Sequence, residues 1–355
     1  MKHLDRYVLR ELVVPFLIGT IAVVLMFQAN QLIAQFKAFS LQSVPASAIL
    51  QSLMFRTPSY LVMTLPVGMA LASSLAMSRL ARESELTAIR GAGVRLLRVI
   101  LPVAAFGLVV SLANFYLVER VVPVAQREAR KVEQQVALLS AGPEFQSNVT
   151  VRLRAFTAFI GTVNRAPDGS ILLSNVMLVE RPRVGEIVFY LADFGDYQKG
   201  NWSLPKARIW TFKGERVQHF QVRDFRIEEP ITVDQLFLDP APEEQTAAQL
   251  QKAIDEGERF GRDTRSLRVA YYVRYSVPAA CLVFAIVGPV FAIWLSRSGF
   301  VGVLLSIVLV FLYYNVHVVS TEIFGKEGWL SPVVAAWLPN VLFAVLGLIG
   351  LRRLE

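Results

Sequence analysis

The chain has 355 residues, of which 54% are hydrophobic and only 18% are charged, and its mean hydropathy is +0.47. Soluble domains carry about 25% charged residues and disordered chains lack apolar surface, so both classes are excluded. The formal net charge of +8 invites a nucleic-acid interpretation, unless that charge marks membrane topology.

Six runs without any charged residue define the predicted membrane spans. They cover residues 12–36, 57–78, 99–118, 275–296, 298–321 and 328–351. Each run is long enough to cross a hydrocarbon core of about 30 Å as a helix. Helices buried in a soluble protein would show charged stripes at helical spacing, which these runs lack. A seventh uncharged run, 38–55, holds six Ser or Gln residues and Pro45, and we predict a loop there.

The first span resembles a signal peptide in two respects. Lys2, Arg6 and Arg10 resemble a basic start, and residues 46–48 resemble a cleavage site. The apolar stretch is far longer than the usual length of about 7–15 residues, and the candidate cleavage site lies well beyond its end. A retained membrane span is therefore favoured.

The distribution of Lys and Arg predicts the orientation, because short cytosolic loops are enriched in both. With the N-terminus inside, eleven lie in cytosolic segments: Lys2, Arg6, Arg10, Arg79, Arg82, Arg90, Arg95, Arg98, Arg297, Arg352 and Arg353. Lys37 and Lys326 stand in the two short external loops. We therefore predict spans one to three in 1–119, a translocated domain in 120–270, and spans four to six in 271–355.

The outer end of the first span carries a polar stripe. Gln28, Gln31 and Gln35 are three and four residues apart, so they share one helical face, and Lys37 follows them. Such side chains either form hydrogen bonds between helices or line a cavity, where Lys37 would meet an anionic headgroup or phosphate. The residues alone leave both interpretations open.

The segment 79–93, between spans two and three, has two different faces if it is helical. Arg79, Arg82, Glu83 and Arg90 share one face, and Leu86, Ile89 and Gly93 share another. Gly91 and Gly93 are suited to ending the helix. The segment is either a solvated linker or a short helix that docks into a soluble partner, with Glu85 available to pair with an arginine of that partner.

The translocated segment has a β pattern, flanked by helical segments at 124–139 and 242–260. Alternation and β-branched residues predict strands at 151–154, 170–180, 186–194, 207–212 and 216–227, with turns at 167–169 and 199–201. Many short strands with turns between them indicate an antiparallel all-β domain, either a sandwich or a roll.

Motifs for chemistry are missing from the sequence. No phosphate-binding Gly-rich loop, zinc motif or nucleophile elbow occurs, so no catalytic residue, metal or cofactor is predicted. An intramembrane enzyme would need titratable groups at membrane depth, where only Cys281 and His317 stand. This favours a conduit or a scaffold over an enzyme.

Over its whole length the chain resembles the LptF/LptG permeases of the lipopolysaccharide-export ABC transporter. The resemblance rests on the opening Leu4-Asp5-Arg6-Tyr7, on Pro58 and Pro66, on Arg82-Glu83-Ser84-Glu85-Leu86 with Gly91-Ala92-Gly93, and on the order of spans and domain. It implies six transmembrane helices with an inserted periplasmic, β-jellyroll-like domain in the bacterial inner membrane.

The resemblance also implies partners and sites. Partners would be a homologous six-span subunit, a cytosolic ABC ATPase dimer, periplasmic LptC-like and LptA-like proteins, and lipopolysaccharide or a related glycolipid. Glu85 matches the glutamate of the family's ATPase-coupling helix, which here includes Arg82, Glu83, Leu86 and Arg90. Lys37 matches a phosphate-contacting residue beside Gln28, Gln31 and Gln35, and Gln31 departs from members that carry lysine there.

A second hypothesis is a membrane-anchored, ABC-related scaffold or mechanotransmitter without a lipid substrate. Such scaffolds usually have four spans, which argues against them here. The nucleic-acid interpretation also loses support, because residues 120–270 hold 21 Lys+Arg against 20 Asp+Glu. The excess positive charge therefore lies in the membrane part, and no nucleic-acid partner is predicted.

Overall fold

The computed structural model describes residues 2–38, 46–140, 147–152, 156–165, 171–183, 186–198, 201–213, 216–228, 241–259, 263–295 and 299–354. These residues form two compact units. One combines Met1–Gln134 with Pro242–Glu355, and the other is Gln135–Ala241. The inserted β region thus separates two halves of one helical unit.

The helical unit confirms the six predicted spans. The first half contains α1 (Lys2–Ala38), α2 (Ala46–Arg82), the short α3 (Glu85–Gly91), α4 (Leu96–Tyr116), a π-helical turn (Leu117–Val121) and α5 (Val122–Ser140). The second half contains a 3-10 turn (Pro242–Glu244), α6 (Ala247–Arg259), α7 (Arg265–Leu295), α8 (Gly299–Val318), a π-helical turn (Val319–Gly325) and α9 (Pro332–Leu354). Among the described residues, six helical segments are long and apolar enough to cross a membrane.

The loop predicted at 38–55 is wrong over most of its length. The second helix begins at Ala46, eleven residues before the apolar run, and residues 39–45 lie outside the described part. Pro45 directly precedes this helix, where a proline is compatible with a helix start. Ser and Gln side chains lower the hydropathy of a segment but do not prevent it from forming a helix. The hydropathy pattern therefore identified the apolar run but not the start of the helix.

The α2–α7 contact is built from small residues. The hydroxyl of Ser73 donates to the carbonyl of Phe284 over 3.0 Å, and that of Ser74 donates to the carbonyl of Gly288 over 3.4 Å. A Cβ at Gly288 would overlap the Ser73 hydroxyl. Small residues let helix backbones approach closely, so this contact fixes the spacing of two central helices.

A buried arginine joins the two halves of the helical unit. The guanidinium of Arg274, whose side chain is 4% exposed, donates to the carbonyls of Val118 (2.8 Å), Pro242 (3.3 Å) and Gln245, and lies 3.4 Å from the carboxylate of Glu119. A buried charge is tolerated only when it is paired and hydrogen-bonded. Arg274 therefore holds the end of the third span against the segment that returns from the inserted region.

The inserted unit is an antiparallel all-β region, as predicted. Its strands are β1 (Ser147–Arg152), β2 (Phe156–Arg165), β3 (Ile171–Arg183), β4 (Glu186–Gln198), β5 (Asn201–Pro205), β6 (Arg208–Lys213), β7 (Arg216–Gln221) and β8 (Asp224–Glu228). β1 to β4 pair in sequential order, β4 pairs with both β5 and β6, β6 pairs with β7, and β5 pairs with β8. Trp202 and Leu204, fully buried in β5, lie in its hydrophobic core.

The strands of the inserted unit differ from the prediction in three places. The amide of Lys206, whose φ is 55°, donates to the carbonyl of Arg223 over 3.0 Å, and the amide of Val222 donates to the carbonyl of Ala207 over 2.9 Å. These two bonds lie between the β5–β8 pairing and the β6–β7 pairing, so the strand predicted at 216–227 is two strands, β7 and β8. β2 was not predicted, and β5 falls where the 199–201 turn was expected to end.

Candidate functional site

The connection between α2 and α4 is two helical pieces separated by a sharp turn. Ser84 has a φ of 59°, in the left-handed region, so α2 ends at Arg82 and α3 starts at Glu85. Gly93 has a φ of 83°, and the amide of Val94 donates to the carbonyl of Ile89 over 3.3 Å, a bond typical of a helix C-terminus. The structure thus divides the segment 79–93 at Ser84, and Gly93 follows the helix end.

The two predicted faces of this segment are only partly retained. Leu86 is 4% exposed and lies in the main hydrophobic core, with Ile89 packed against that core. Arg82, Glu83 and Arg90 are exposed. The turn at Ser84 separates Arg82 and Glu83 from Arg90, so the charged residues flank α3 and do not form one continuous helical stripe.

Glu85 is held by the first helix. The hydroxyl of Tyr7 donates to Oε2 of Glu85 over 2.7 Å, and Glu85 is half-buried. Since this bond joins residues 78 positions apart, sequence periodicity gave no sign of it. The only signal was that Tyr7 belongs to the Leu4–Tyr7 motif on which the family resemblance rests.

Contacts of three arginines gather at the same end of the helical unit, which we define as the terminal end: residues 2–11, 79–98 and 352–354. Arg98, at the start of α4, donates to both carboxylate oxygens of Asp5, over 2.7 Å and 2.9 Å. Arg90 donates to the carbonyl of Leu354 over 3.0 Å. Arg79 pairs with Glu11 and, over 3.2 Å, with Glu83. Asp5, Tyr7 and Arg98 were not predicted as site residues.

The polar stripe on α1 has two different environments. The amide of Gln28 donates over 2.7 Å to the hydroxyl of Thr57 on α2, and Thr57 donates to the carbonyl of Leu53 over 2.9 Å. Gln28 therefore makes the interhelical hydrogen bond that one of the two interpretations expected. Gln31 is half-buried, and the side chains of Gln35 and Lys37 lie outside the described part of the structure.

The side chains at these places are suited to recognition. Among the described residues, no group of three or more His, Cys, Asp or Glu side chains is arranged to hold a metal ion. The terminal end presents cations and carboxylates on α3 and at the ends of the longer helices, which suits contact with a charged protein surface. The polar stripe suits hydrogen bonding at membrane depth.

Comparison with known proteins gives a consistent picture. The sequence profile of one family, described as "Lipopolysaccharide export system permease LptF/LptG", matches residues 6–353. The lipopolysaccharide export system permease protein LptF of Escherichia coli strain K12 is 20% identical over 354 residues, covering 97% of this chain and 93% of the relative. The proteins of the same name from Escherichia coli O157:H7 and Shigella flexneri match with the same identity and coverage.

Proposed function

The chain belongs to the LptF/LptG family of lipopolysaccharide export permeases, and from this we propose that it extracts lipopolysaccharide, or a related glycolipid, from the outer leaflet of the inner membrane. It is a multi-pass membrane protein and a permease subunit, not an enzyme. The observation that carries the proposal is the family match over residues 6–353, which includes the membrane helices and the inserted sheet alike.

The proposed assembly contains a second, homologous six-span subunit and a separate cytosolic ABC ATPase dimer. The absence of a phosphate-binding Gly-rich loop from the sequence supports a separate ATPase. The concentration of Lys and Arg at the terminal end supports cytosolic termini and a periplasmic inserted domain. In this arrangement the inserted domain passes lipid to LptC-like and LptA-like proteins.

The proposed ATPase contact is α3, with Glu85 at its centre. Tyr7 occupies one carboxylate oxygen of Glu85, and a carboxylate has about four acceptor positions, so a guanidinium of the ATPase has room to bind. Leu86 fixes α3 to the core, while Arg82, Glu83 and Arg90 are exposed around it. ATP-driven closure of the ATPase dimer would then move the two coupling helices together and collapse the lipid cavity, a two-state change biased from the cytosolic side.

The proposed lipid contacts lie on the opposite half of α1. Lys37 would bind a phosphate of the lipid, and Gln31, which is half-buried on the same helix, and Gln35 would line its path. Gln28 stands one turn deeper and is already hydrogen-bonded to Thr57, so its share in lipid contact would be through the spacing of α1 and α2.

The experiment that tests the proposal is affinity purification of the tagged chain in mild detergent, with mass spectrometry of the proteins and lipids that accompany it. We expect an ABC ATPase, a second six-span subunit and lipopolysaccharide or a related glycolipid. A chain that retains its fold yet brings down neither protein would overturn the proposal. Both proteins without any glycolipid would favour a scaffold.

A further inference from the structure

A cavity lies beside α1 at the terminal end. It has a volume of about 500 Å³, lies between α1 and α2, and its lining includes Arg10, Glu11, Val14, Arg79 and Arg82. The adjoining open surface is formed by α1 alone, by residues between Asp5 and Val14. Arg10 and Val14 belong to both, so we treat the cavity and this surface as one feature, the α1 groove.

The α1 groove carries uncompensated positive charge. Its two carboxylates are already paired, Asp5 with Arg98 and Glu11 with Arg79. Arg6, Arg10 and Arg82 are exposed, and no carboxylate of the described residues lies within 4 Å of their guanidinium groups. An anion in the cavity between α1 and α2 would therefore meet the guanidinium groups of Arg10 and Arg82, whose geometry suits phosphate.

The walls of the groove are apolar on the side that leads away from the arginines. Val13 and Val14 are 37% and 58% exposed, and the exposed apolar surface continues along α1 through Leu17 and Ile18. A free phosphate ion would gain nothing from such walls, whereas the acyl chain of a lipid would bury them. None of the lining residues belongs to α3, although Arg82, at the end of α2, is shared with the proposed ATPase contact.

We propose that the α1 groove binds an anionic glycerophospholipid, with Arg10 and Arg82 holding its phosphate and Val14, Leu17 and Ile18 contacting an acyl chain. Basic pockets between transmembrane helices on the cytosolic side are suited to anionic headgroups. The assignment to the cytosolic leaflet rests on the proposed topology, while the chemistry of the site does not.

The test uses the purified chain, with any subunits that accompany it, in nanodiscs of phosphatidylcholine containing a minor share of phosphatidylglycerol. Native mass spectrometry counts the phosphatidylglycerol molecules that remain on the protein. We expect Arg10→Gln and Arg82→Gln each to lower retention about fivefold. The matched control is Arg95→Gln, which removes one exposed charge at the same end outside the groove and should leave retention unchanged.

Three results would overturn the proposal. One is equal loss of retention in Arg95→Gln and Arg10→Gln, which would indicate a diffuse electrostatic effect. Another is full displacement of the lipid by inorganic phosphate, which would indicate an anion site without acyl-chain contact. The last is unchanged retention in Arg10→Gln and Arg82→Gln while both proteins keep their thermal stability in pure phosphatidylcholine. Retention is measured without ATP and without glycolipid. The result can therefore be interpreted even if the proposed export function is wrong.

Discussion

Removing the hydroxyl of Tyr7 tests whether α1 positions Glu85, the proposed coupling glutamate. Tyr7→Phe keeps the ring and deletes one hydrogen bond of 2.7 Å to the carboxylate of Glu85. Hydrogen bonds to charged groups contribute about 1.5–3 kcal/mol, and because both side chains are half-exposed we expect about 1.5 kcal/mol, at the lower end. The free energy of unfolding should fall by that amount.

The same variant should also weaken ATPase docking. Without the Tyr7 hydroxyl, the Glu85 side chain can adopt additional rotamers. Binding of the ATPase must then restrict these rotamers. Ordering a glutamate side chain fully costs up to about 2 kcal/mol, so a partial loss of about 1 kcal/mol predicts about fivefold weaker affinity. The measurement is titration of the purified ATPase onto the permease pair in nanodiscs, and the free energy of unfolding comes from titration with sodium dodecyl sulfate in mixed micelles.

A double-mutant cycle isolates the interaction. Tyr7→Phe is measured alone and in the background of Glu85→Ala, where the acceptor is already gone, and Tyr116→Phe, at a position that is 63% exposed on α4, serves as the control. We expect a coupling energy of about 1 kcal/mol or more for the pair. A coupling energy below about 0.5 kcal/mol, within the error of additivity, would refute the positioning role.

Three further predictions concern coupling and packing. Glu85→Ala and Glu85→Lys should leave the protein folded but separate ATP hydrolysis from lipid release in proteoliposomes, and normal release by both would exclude Glu85 as the coupling residue. Gly288→Ala should lower the free energy of unfolding by about 1–3 kcal/mol, because its Cβ would displace the Ser73 hydroxyl, whereas Gly91→Ala, with no atom within 4 Å of its Cβ, should not destabilise. Arg274→Met should cost about 3–5 kcal/mol by leaving buried carbonyls and a carboxylate without their donor, and Arg274→Lys should recover part of that loss in the same unfolding assay.

The membrane part of the fold was predictable because each span is a local property of the sequence. A run without charge is sufficient to identify a spanning helix, whatever that helix packs against. The start of α2 was missed for the same reason, since residues 46–55 are helical without being apolar throughout. The break at Ser84 was missed because a left-handed φ at a serine leaves no local pattern.

The site was less predictable because its contacts are distant in the sequence. Glu85 and the flanking charges were proposed from a short segment and a resemblance, but their partners, Tyr7 for Glu85 and Leu354 for Arg90, stand 78 and 264 positions away. Strand β5 was missed because Lys199-Gly200-Asn201 is typical of a turn. The positive φ at Lys206 then ends β5 directly after Pro205, so the strand is short. In each case the packing of remote segments decided the outcome.

The contacts of α1 at the terminal end bear on how movement of α3 would spread. Asp5 and Tyr7 are two residues apart, so on a helix they point to nearly opposite sides, and α1 is held between the start of α4 through Arg98 and the start of α3 through Glu85. Arg90 ties the other end of α3 to the last residues of α9. A force on α3 would therefore act directly on α1 and α9 as well as on the core around Leu86. This arrangement gives the Leu4–Tyr7 motif a physical role, because the motif links α3 directly to α1, the helix that carries both the α1 groove and the proposed lipid contacts.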